Sequence, residues 1–600
     1  MPIITLRLVL VIYLLRVGNA LLCQTFFQPD EYYQSLEQAH RIVFGYGYQT
    51  WEWRISPDHL SGGIRSPLHP LLFVPGYWLL AILRLDHHSS LIILLPKLIQ
   101  AGIATITDIA TYALASVLLT PPYANAALAC SLTSFFNAYA GIRTLSNSLE
   151  AALTASALAF WPWNPLQIHS SWTNLSIAIL LIALSVIVRP SSLLFWALLG
   201  YTLLKRSNGE TRMDIMALVA VIGVISALLC FWIDSSFYGI ATFTPLNFIR
   251  QNVVQDISTF YGVNRFHFYF TQAFPFVNFA MSPTVILGMA MLSTPQNMHE
   301  SLAQLTRLRS ARVAVLGTMV GLSLLKHKEF RFIQPLVPLF NCFAARAMVN
   351  NYIKHRQAHP ATSPTTDLSP LERLLAARPI GFILRALISL AAAFYLLSFH
   401  YRAQVSVIHY LRHLPDHELR SVGFLMPCHS TPWQSHLHKP HLASNGSQER
   451  LWMLTCEPPL IPFQNSSLVG SEHQANTTSE HQNDTEKSPD EDPHGGNDGQ
   501  EQIQEEVYQD EAAVFYANPA GFLRGKFPPT VDRGYPATDK STGRYQWPSH
   551  LVLFDALWAV TPVRDILLAH GYRVVWNATN GRWHDDPVRR AGNVLVLQSN

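Results

Sequence analysis

Charge is what this chain lacks: Asp, Glu, Lys and Arg make up only 14% of its 600 residues, where a soluble domain carries roughly 25%. A surface that meets water on every side cannot be built from so little, which excludes an ordinary soluble globule. Six cysteines are too few for a disulfide-dense secreted scaffold, and no spacing among them suggests zinc. There is no phosphate-cradling Walker loop and no paired-histidine motif, so the sequence predicts no metal and no cofactor. The net charge of +3 comes without the basic stripe that would point to nucleic acid.

What the chain has instead is oil. Hydrophobic residues reach 49% and gather in runs at about 1–24, 68–82, 91–119, 175–188, 193–204, 213–233, 279–291, 313–325, 333–349 and 380–399. Several approach the roughly 20 residues with which a helix spans a bilayer; the shorter ones must tilt or tuck behind neighbours. The pattern predicts a polytopic α-helical membrane protein with about 11 transmembrane helices. The first run is interrupted by Arg16 and Asn19 and lacks a well-formed cleavage site, so a retained helix is expected rather than a signal peptide.

Orientation follows from the sparse charges. Lys205, Arg206 and Arg212, then Arg307, Arg309 and Arg312, then Lys354, Arg356, Arg373 and Arg378 fall between successive spans, and short positive loops face the cytoplasm. The alternate segments, 24–67, 234–278, 326–332 and everything after about 400, then face the lumen. Residues 326–332 are themselves basic and resist that rule. The tail adds an independent vote through the sequons at Asn445, Asn465, Asn476, Asn483 and Asn577, which accept glycans only in the secretory pathway. Cys428 and Cys456 lie on the same oxidising side and are candidates for a disulfide; Cys23, Cys130, Cys230 and Cys342 are expected to pack.

Two regions result: a helical bundle over 1–400 and a lumenal C-terminal region over 401–600. The latter contains runs such as "HLVLFDAL" and "GNVLVLQ" that predict a mixed α/β module. An acidic, polar insert at about 470–508 is expected to be disordered.

Two constellations carry candidate chemistry. Asp30 and Glu31 follow Pro29, and Tyr33, Leu36, His40 and Val43 recur at helical spacing behind them, so a short amphipathic helix begins here. Acids in a first turn suit the helix dipole, but these lie among Tyr48, Trp51 and Trp53, rings that anchor at a membrane surface or stack on sugars. The second is "KHKEFR", where Lys326, His327, Lys328, Glu329 and Arg331 crowd six positions between apolar runs. A snorkelling rim would place such a cluster on the cytoplasmic side; on the lumenal side a bound phosphate explains it better. Arg189, Asp234 and His267 are further polar marks on that side, each open to a structural reading as well.

Together they describe one reaction. Transfer of a sugar from a lipid phosphate to a hydroxyl needs a carboxylate to take the hydroxyl proton and cations to hold the departing phosphate. The stretches "PDEYYQSLEQAHRIVFGYGYQTWEW", "GIRSPLHP", "RTLSNSLE" and "HKEFRFIQPLVP" resemble the dolichol-phosphate-mannose-dependent mannosyltransferases of glycosyltransferase family 22, whose fold is GT-C. "SVGFLMPCHSTPWQSHLH", "LTCEPP" and "YQWPSHLVLFDAL" narrow the resemblance to its GPI-anchor branch.

The resemblance implies an inverting α-1,2-mannosyltransferase of the endoplasmic reticulum membrane. Its donor would be dolichol-phosphate mannose and its acceptor the GPI precursor glycolipid, which receives a third mannose. It casts Asp30 as general base with Glu31 supporting or sharing that role, and His327, Lys328 and Arg331 on the donor phosphate with Glu329 orienting them. Tyr48, Trp51, Glu52, Trp53 and Arg65 would line the acceptor side, with Arg189, Asp234 and His267 as further substrate contacts. A sister enzyme (the N-glycan α-1,2 transferase or the one adding a fourth GPI mannose) and a glycolipid transporter are the alternatives.

Overall fold

In the computed structural model the described residues are 4–56, 61–164, 172–292, 300–358, 380–444, 446–460 and 508–599. The sequons at Asn445, Asn465, Asn476 and Asn483 and nearly all of the acidic insert lie outside them.

The apolar runs are helices. Helix α1 (Leu6–Leu22) is capped by the Thr5 hydroxyl, and Arg16, the residue that interrupts the run, makes a buried ion pair with Asp108 at 2.7 Å. That pairing answers the cost of a charge inside an apolar bundle and fixes α1 against α4 (Ser89–Leu118). Between them in sequence come α2 (Glu37–Phe44) and α3 (Val74–Ile82). Next are α5 (Pro121–Leu132), α6 (Ser146–Phe160), α7 (Trp172–Val188), α8 (Leu193–Arg206) and α9 (Gly209–Tyr238). The bundle is completed by α10 (Ser282–Ala290), α11 (Leu302–Leu324), α12 (Val337–Ala358), α13 (Ile380–Ser398) and α14 (Ala403–His413).

Among the described residues, five helical stretches are long and apolar enough to cross a bilayer: Ser90–Leu118, Gly209–Tyr238, Tyr269–Ala290, Phe330–Lys354 and Ile380–His413. The others are shorter or, like α11 with its three arginines, more polar, and α5 and α6 are not among the apolar runs. Helix α6, "SNSLEAALTASALAF", is buried on most of its surface because small Ala, Ser and Thr side chains let neighbouring backbones close in. The same device recurs at Gly288 of α10, where a Cβ would stand 2.0 Å from the Phe343 carbonyl oxygen of α12.

After α14 the chain builds a sheet. Its strands are β1 (Val422–Leu425), β3 (Leu451–Met453), β5 (His550–Phe554), β6 (Tyr572–Thr579) and β7 (Asn593–Ser599), in the order β3-β1-β5-β7-β6. A separate two-stranded ribbon pairs β2 (Gln448–Glu449) with β4 (Thr538–Asp539). Strand β1 runs parallel to β3 and β5, while β7 is antiparallel to β5 and β6.

Alternate residues divide the faces, as a pleat requires. Phe424, Val552, Phe554, Val594 and Val596 join one hydrophobic cluster with Phe26, Tyr32, Tyr33 and Leu36 of the bundle. Leu425, Leu551, Leu553, Leu595 and Leu597 join another with Phe515, Leu523 and Leu567 of the covering helices. The sheet is thus docked directly on the segment that carries Asp30. Cys428 and Cys456, just beyond β1 and β3, are joined in a disulfide with Cα atoms 5.8 Å apart. Asn577 is exposed on β6.

Candidate active site

The segment after Pro29 is helical from its first turn. The Pro29 carbonyl accepts the backbone N–H groups of Tyr32 and Tyr33 at 3.0 Å each, and residues Tyr32–Leu36 form a π-turn that runs into α2. Such wide turns recur at functional sites, because one inserted residue re-aims its neighbours. Here the adjacent acids point to different partners. Asp30 keeps some exposure and faces Arg331, with Oδ2 2.5 Å from Nη1. The contact is a close ion pair rather than an aligned hydrogen bond.

Glu31 instead turns inward. It accepts from Arg143 Nη1 at 3.0 and 3.1 Å, and Arg143 is held in turn by the Thr25 carbonyl and hydroxyl. Burial pushes the Glu31 carboxyl up against the pull of Arg143. Glu31 and Arg143 are 3% and 2% exposed, so Glu31 is a buried strut. Both of its carboxylate oxygens accept from one guanidinium, and the pair borders a cavity of about 360 Å³ together with Tyr32, Lys97 and His436.

The second constellation meets the first through Arg331, at the turn leading into α12. Arg331 donates from Nε and Nη2 to the two oxygens of Glu329, at 2.8 and 2.7 Å. Glu329 Oε1 also contacts His327 Nε2 at 3.2 Å, while His327 Nδ1 lies 2.9 Å from the Gly262 carbonyl. Against burial, which pushes it up, Arg331 and His327 hold the Glu329 carboxyl below its ordinary value. Burial pushes His327 down, but the bond to Glu329 and its charge leave it net raised. The result is a continuous chain of contacts, Asp30–Arg331–Glu329–His327.

Lys328 does not join it. Its ammonium donates to the carbonyls of Asn264 and Lys326 at 2.8 and 3.4 Å, and Asn264 returns a bond to the Lys328 carbonyl. Its expected place on the donor phosphate is therefore corrected: it clips two loops together.

Glu52 anchors the neighbouring wall. It accepts from Gln34 at 2.9 Å, four residues on from Asp30 and so on the same helical face. Arg65 Nη2 pairs with it at 2.8 Å. Trp51 donates to the Tyr261 hydroxyl at 2.7 Å, while Trp53 is buried edge-on to Phe237 with an indole N–H that meets no partner. On the outer side of that turn, Gln38, Arg41, Gln49, Trp53, Arg54 and Tyr238 line a cavity of about 670 Å³. Tyr48 packs edge-on against Tyr33, His429 and Trp433, which ties this wall to the C-terminal sheet.

Arg189 is buried between Ser146, at 3.0 Å, and Glu150, at 3.3 Å. Its guanidinium and that of Arg331 both lie over the Phe332 ring, at 5.3 and 5.8 Å. A further expectation is corrected. Asp234 has no exposed surface and accepts from Ser66 Oγ, Thr244 N and Thr244 Oγ1 at 2.7, 3.0 and 2.7 Å; it is a satisfied helix-end acceptor rather than a substrate contact. His267 is exposed, and its Nδ1 meets the Thr271 hydroxyl at 2.8 Å.

Several residues escaped the sequence reading. Glu37 is fully buried and accepts three backbone N–H groups, from Tyr48, Gln434 and Ser435, at 3.0, 3.1 and 2.8 Å. Glu150 and Gln34 lie inside quoted stretches but carry no separate signal. Among the described residues, the one group of three close metal-ligand types is Cys428, His429 and Cys456, and it contains both halves of the disulfide.

Residues 7–438 match the model of the Alg9-like mannosyltransferase family. The GPI mannosyltransferase 3 of Yarrowia lipolytica is 34% identical over 587 residues, 98% of this chain and 96% of that protein. The GPI alpha-1,2-mannosyltransferase 3 of Mus musculus is 35% identical over 437 residues, 72% of each. The crystal structure of ArnT from Cupriavidus metallidurans bound to undecaprenyl phosphate superposes with a TM-score of 0.56 at 13% identity, over 98% of this chain and 97% of that one. At that identity the likeness speaks for the fold, the GT-C architecture.

Proposed function

We propose, from the premise that this chain belongs to the Alg9-like mannosyltransferase family, a reaction and a role for each cluster. The chain is an α-1,2-mannosyltransferase of GPI-anchor assembly, as its relatives' names state for them. It adds the third mannose to the GPI precursor glycolipid, takes it from dolichol-phosphate mannose, and works at the lumenal face of the endoplasmic reticulum membrane, which it crosses about 11 times.

The observation that carries the mechanism is the Asp30–Arg331–Glu329–His327 chain. Asp30 takes the proton of the acceptor 2-hydroxyl as that oxygen attacks the anomeric carbon. The bond from this carbon to the phosphate oxygen breaks, and dolichyl phosphate leaves with the electron pair. A phosphate is a good enough leaving group to need no general acid, but its charge needs cations. Arg331 and protonated His327 supply them, with Glu329 fixing both. When the donor binds, Arg331 exchanges Asp30 for the phosphate, and the carboxylate is released to act as base. Single displacement inverts the anomeric centre, turning a β-linked donor into an α-linked product. Glu52, Arg65, Trp51 and Trp53 border the acceptor side.

The test is mannose transfer from dolichol-phosphate mannose to a two-mannose GPI acceptor, in membranes carrying wild-type or Asp30→Asn protein. Loss of transfer by roughly 10²–10⁴-fold at normal expression supports the base assignment. Undiminished transfer by the variant moves the base elsewhere. A transporter reading is tested by the same pair, since movement of glycolipid needs no base.

A further inference from the structure

His429 lies in the C-terminal region, just past β1, yet it borders the site. It follows Cys428 in the loop that the Cys428–Cys456 disulfide holds. Its backbone sits in the left-handed region with φ 53°, a conformation that costs a non-glycine residue of order 1 kcal/mol and marks positions the surroundings dictate. The ring is clasped edge-on by Tyr33 at 4.5 Å and Tyr48 at 5.8 Å. The loop is pinned on both sides as well: Tyr33 donates to the Thr431 carbonyl at 3.1 Å and Gln404 to the Ser430 carbonyl at 2.6 Å.

One ring nitrogen is accounted for. Nδ1 contacts the Cys456 sulfur at 3.7 Å, whereas Nε2 is buried and meets no protein group. A buried nitrogen left without a partner forfeits about 1–3 kcal/mol, which a fold recovers if a ligand supplies the bond. Burial pushes the ring down to about 4, against the charge of nearby Asp30, so it is a neutral imidazole. Arg54, whose charge also reaches the ring, is half exposed in its pair with Glu457 and lines the cavity of about 670 Å³ beside Trp53.

We propose that His429 is an acceptor-binding residue: its Nε2 hydrogen-bonds a hydroxyl of the acceptor's terminal mannose and holds the neighbouring 2-hydroxyl toward Asp30. This deepens the functional reading above and rests on it. A neutral imidazole suits the task, because one nitrogen can donate to or accept from a hydroxyl without competing with the donor phosphate for charge. The bond also gives the C-terminal region a part in acceptor choice, through a loop whose ring position the disulfide and the two tyrosines leave little freedom to vary.

The experiment compares wild type with His429→Phe, which keeps the packing against Tyr33 and Tyr48 but removes Nε2, and His429→Gln, which restores a polar end. The readouts are the KM for a two-mannose acceptor and the KM for dolichol-phosphate mannose in membranes. The expected result is a rise of about ten-fold in acceptor KM for His429→Phe, with donor KM unchanged and partial recovery in His429→Gln. Unchanged acceptor KM in His429→Phe overturns the proposal. So does an equal change in both constants accompanied by loss of thermal stability, which marks a packing role. If His429→Phe does not accumulate, His429→Gln decides alone, and the proposal falls unless its acceptor KM departs from wild type while donor KM stays. Failure of wild type itself to use the two-mannose acceptor would sink the functional reading and not this residue's assignment alone.

Discussion

The Asp30 carboxylate lies 2.5 Å from the Arg331 guanidinium, and the acid next to it in sequence, Glu31, reaches a different arginine, Arg143. Two acids that look interchangeable in the chain are divided by the π-turn that follows them, one toward an open cluster and one into the core.

That division predicts opposite outcomes for two conservative changes. Glu31→Gln leaves Arg143 as an uncompensated buried charge and costs about 3–5 kcal/mol of stability. Thermal unfolding in detergent should show a fall of several degrees, whereas Asp30→Asn should unfold near the wild-type temperature while losing transfer. A Glu31→Gln protein of wild-type stability would contradict the strut.

Arg331→Lys tests the fork. Lysine cannot hold both Glu329 oxygens and face Asp30 at once, so kcat should fall about 10²-fold or more with the fold retained. Single-turnover rates with saturating donor measure this directly, and a rate within two- to three-fold of wild type would remove Arg331 from the reaction.

Glu37 gives a pH dependence. Burial pushes its carboxyl up to about 7 despite three N–H donors, so the folded chain takes up a proton that the unfolded one has lost. The contribution to stability is therefore largest below the ordinary glutamate value of 4.5, falls as pH rises toward about 7, and is flat beyond. Thermal unfolding of the wild type should weaken between pH 5 and 7.5 by more than that of Glu37→Gln. Parallel curves would mean that Glu37 does not titrate in this range.

Removing the disulfide by Cys428→Ser should cost about 3–4 kcal/mol, from the loop of 28 residues it closes. Acceptor KM should rise as well, since His429 hangs from the same loop. Equal unfolding temperatures for wild type and variant, or wild-type acceptor KM in the variant, would count against the respective half of this expectation.

The apolar runs and both charged stretches were readable because each is a local pattern: continuous oil for a span, crowded charge for a site. Helix α6 was not, since a helix buried among other helices needs small residues rather than oily ones, and "SNSLEAALTASALAF" reads as neither. Asp234 was open to a capping role as well as a substrate contact, and nothing local announced that Ser66 and Thr244 would surround it. Lys328 looked equivalent to Arg331 until the fold bent Asn264 toward it. Glu37 and His429 depend on each other's half of the chain, and such pairings leave no mark in a short window of sequence.

Strand β7 is interior to the sheet, between β5 and β6, and its Val594 and Val596 belong to the cluster that backs Phe26 and Tyr32. During synthesis the Asp30 segment is made early and residues 593–599 long after it. Until they arrive, the cluster beneath that early segment lacks its last two valines. The packing beneath Asp30 is therefore completed last where the chain was begun first, and a chain that stops short of β7 leaves that cluster incomplete.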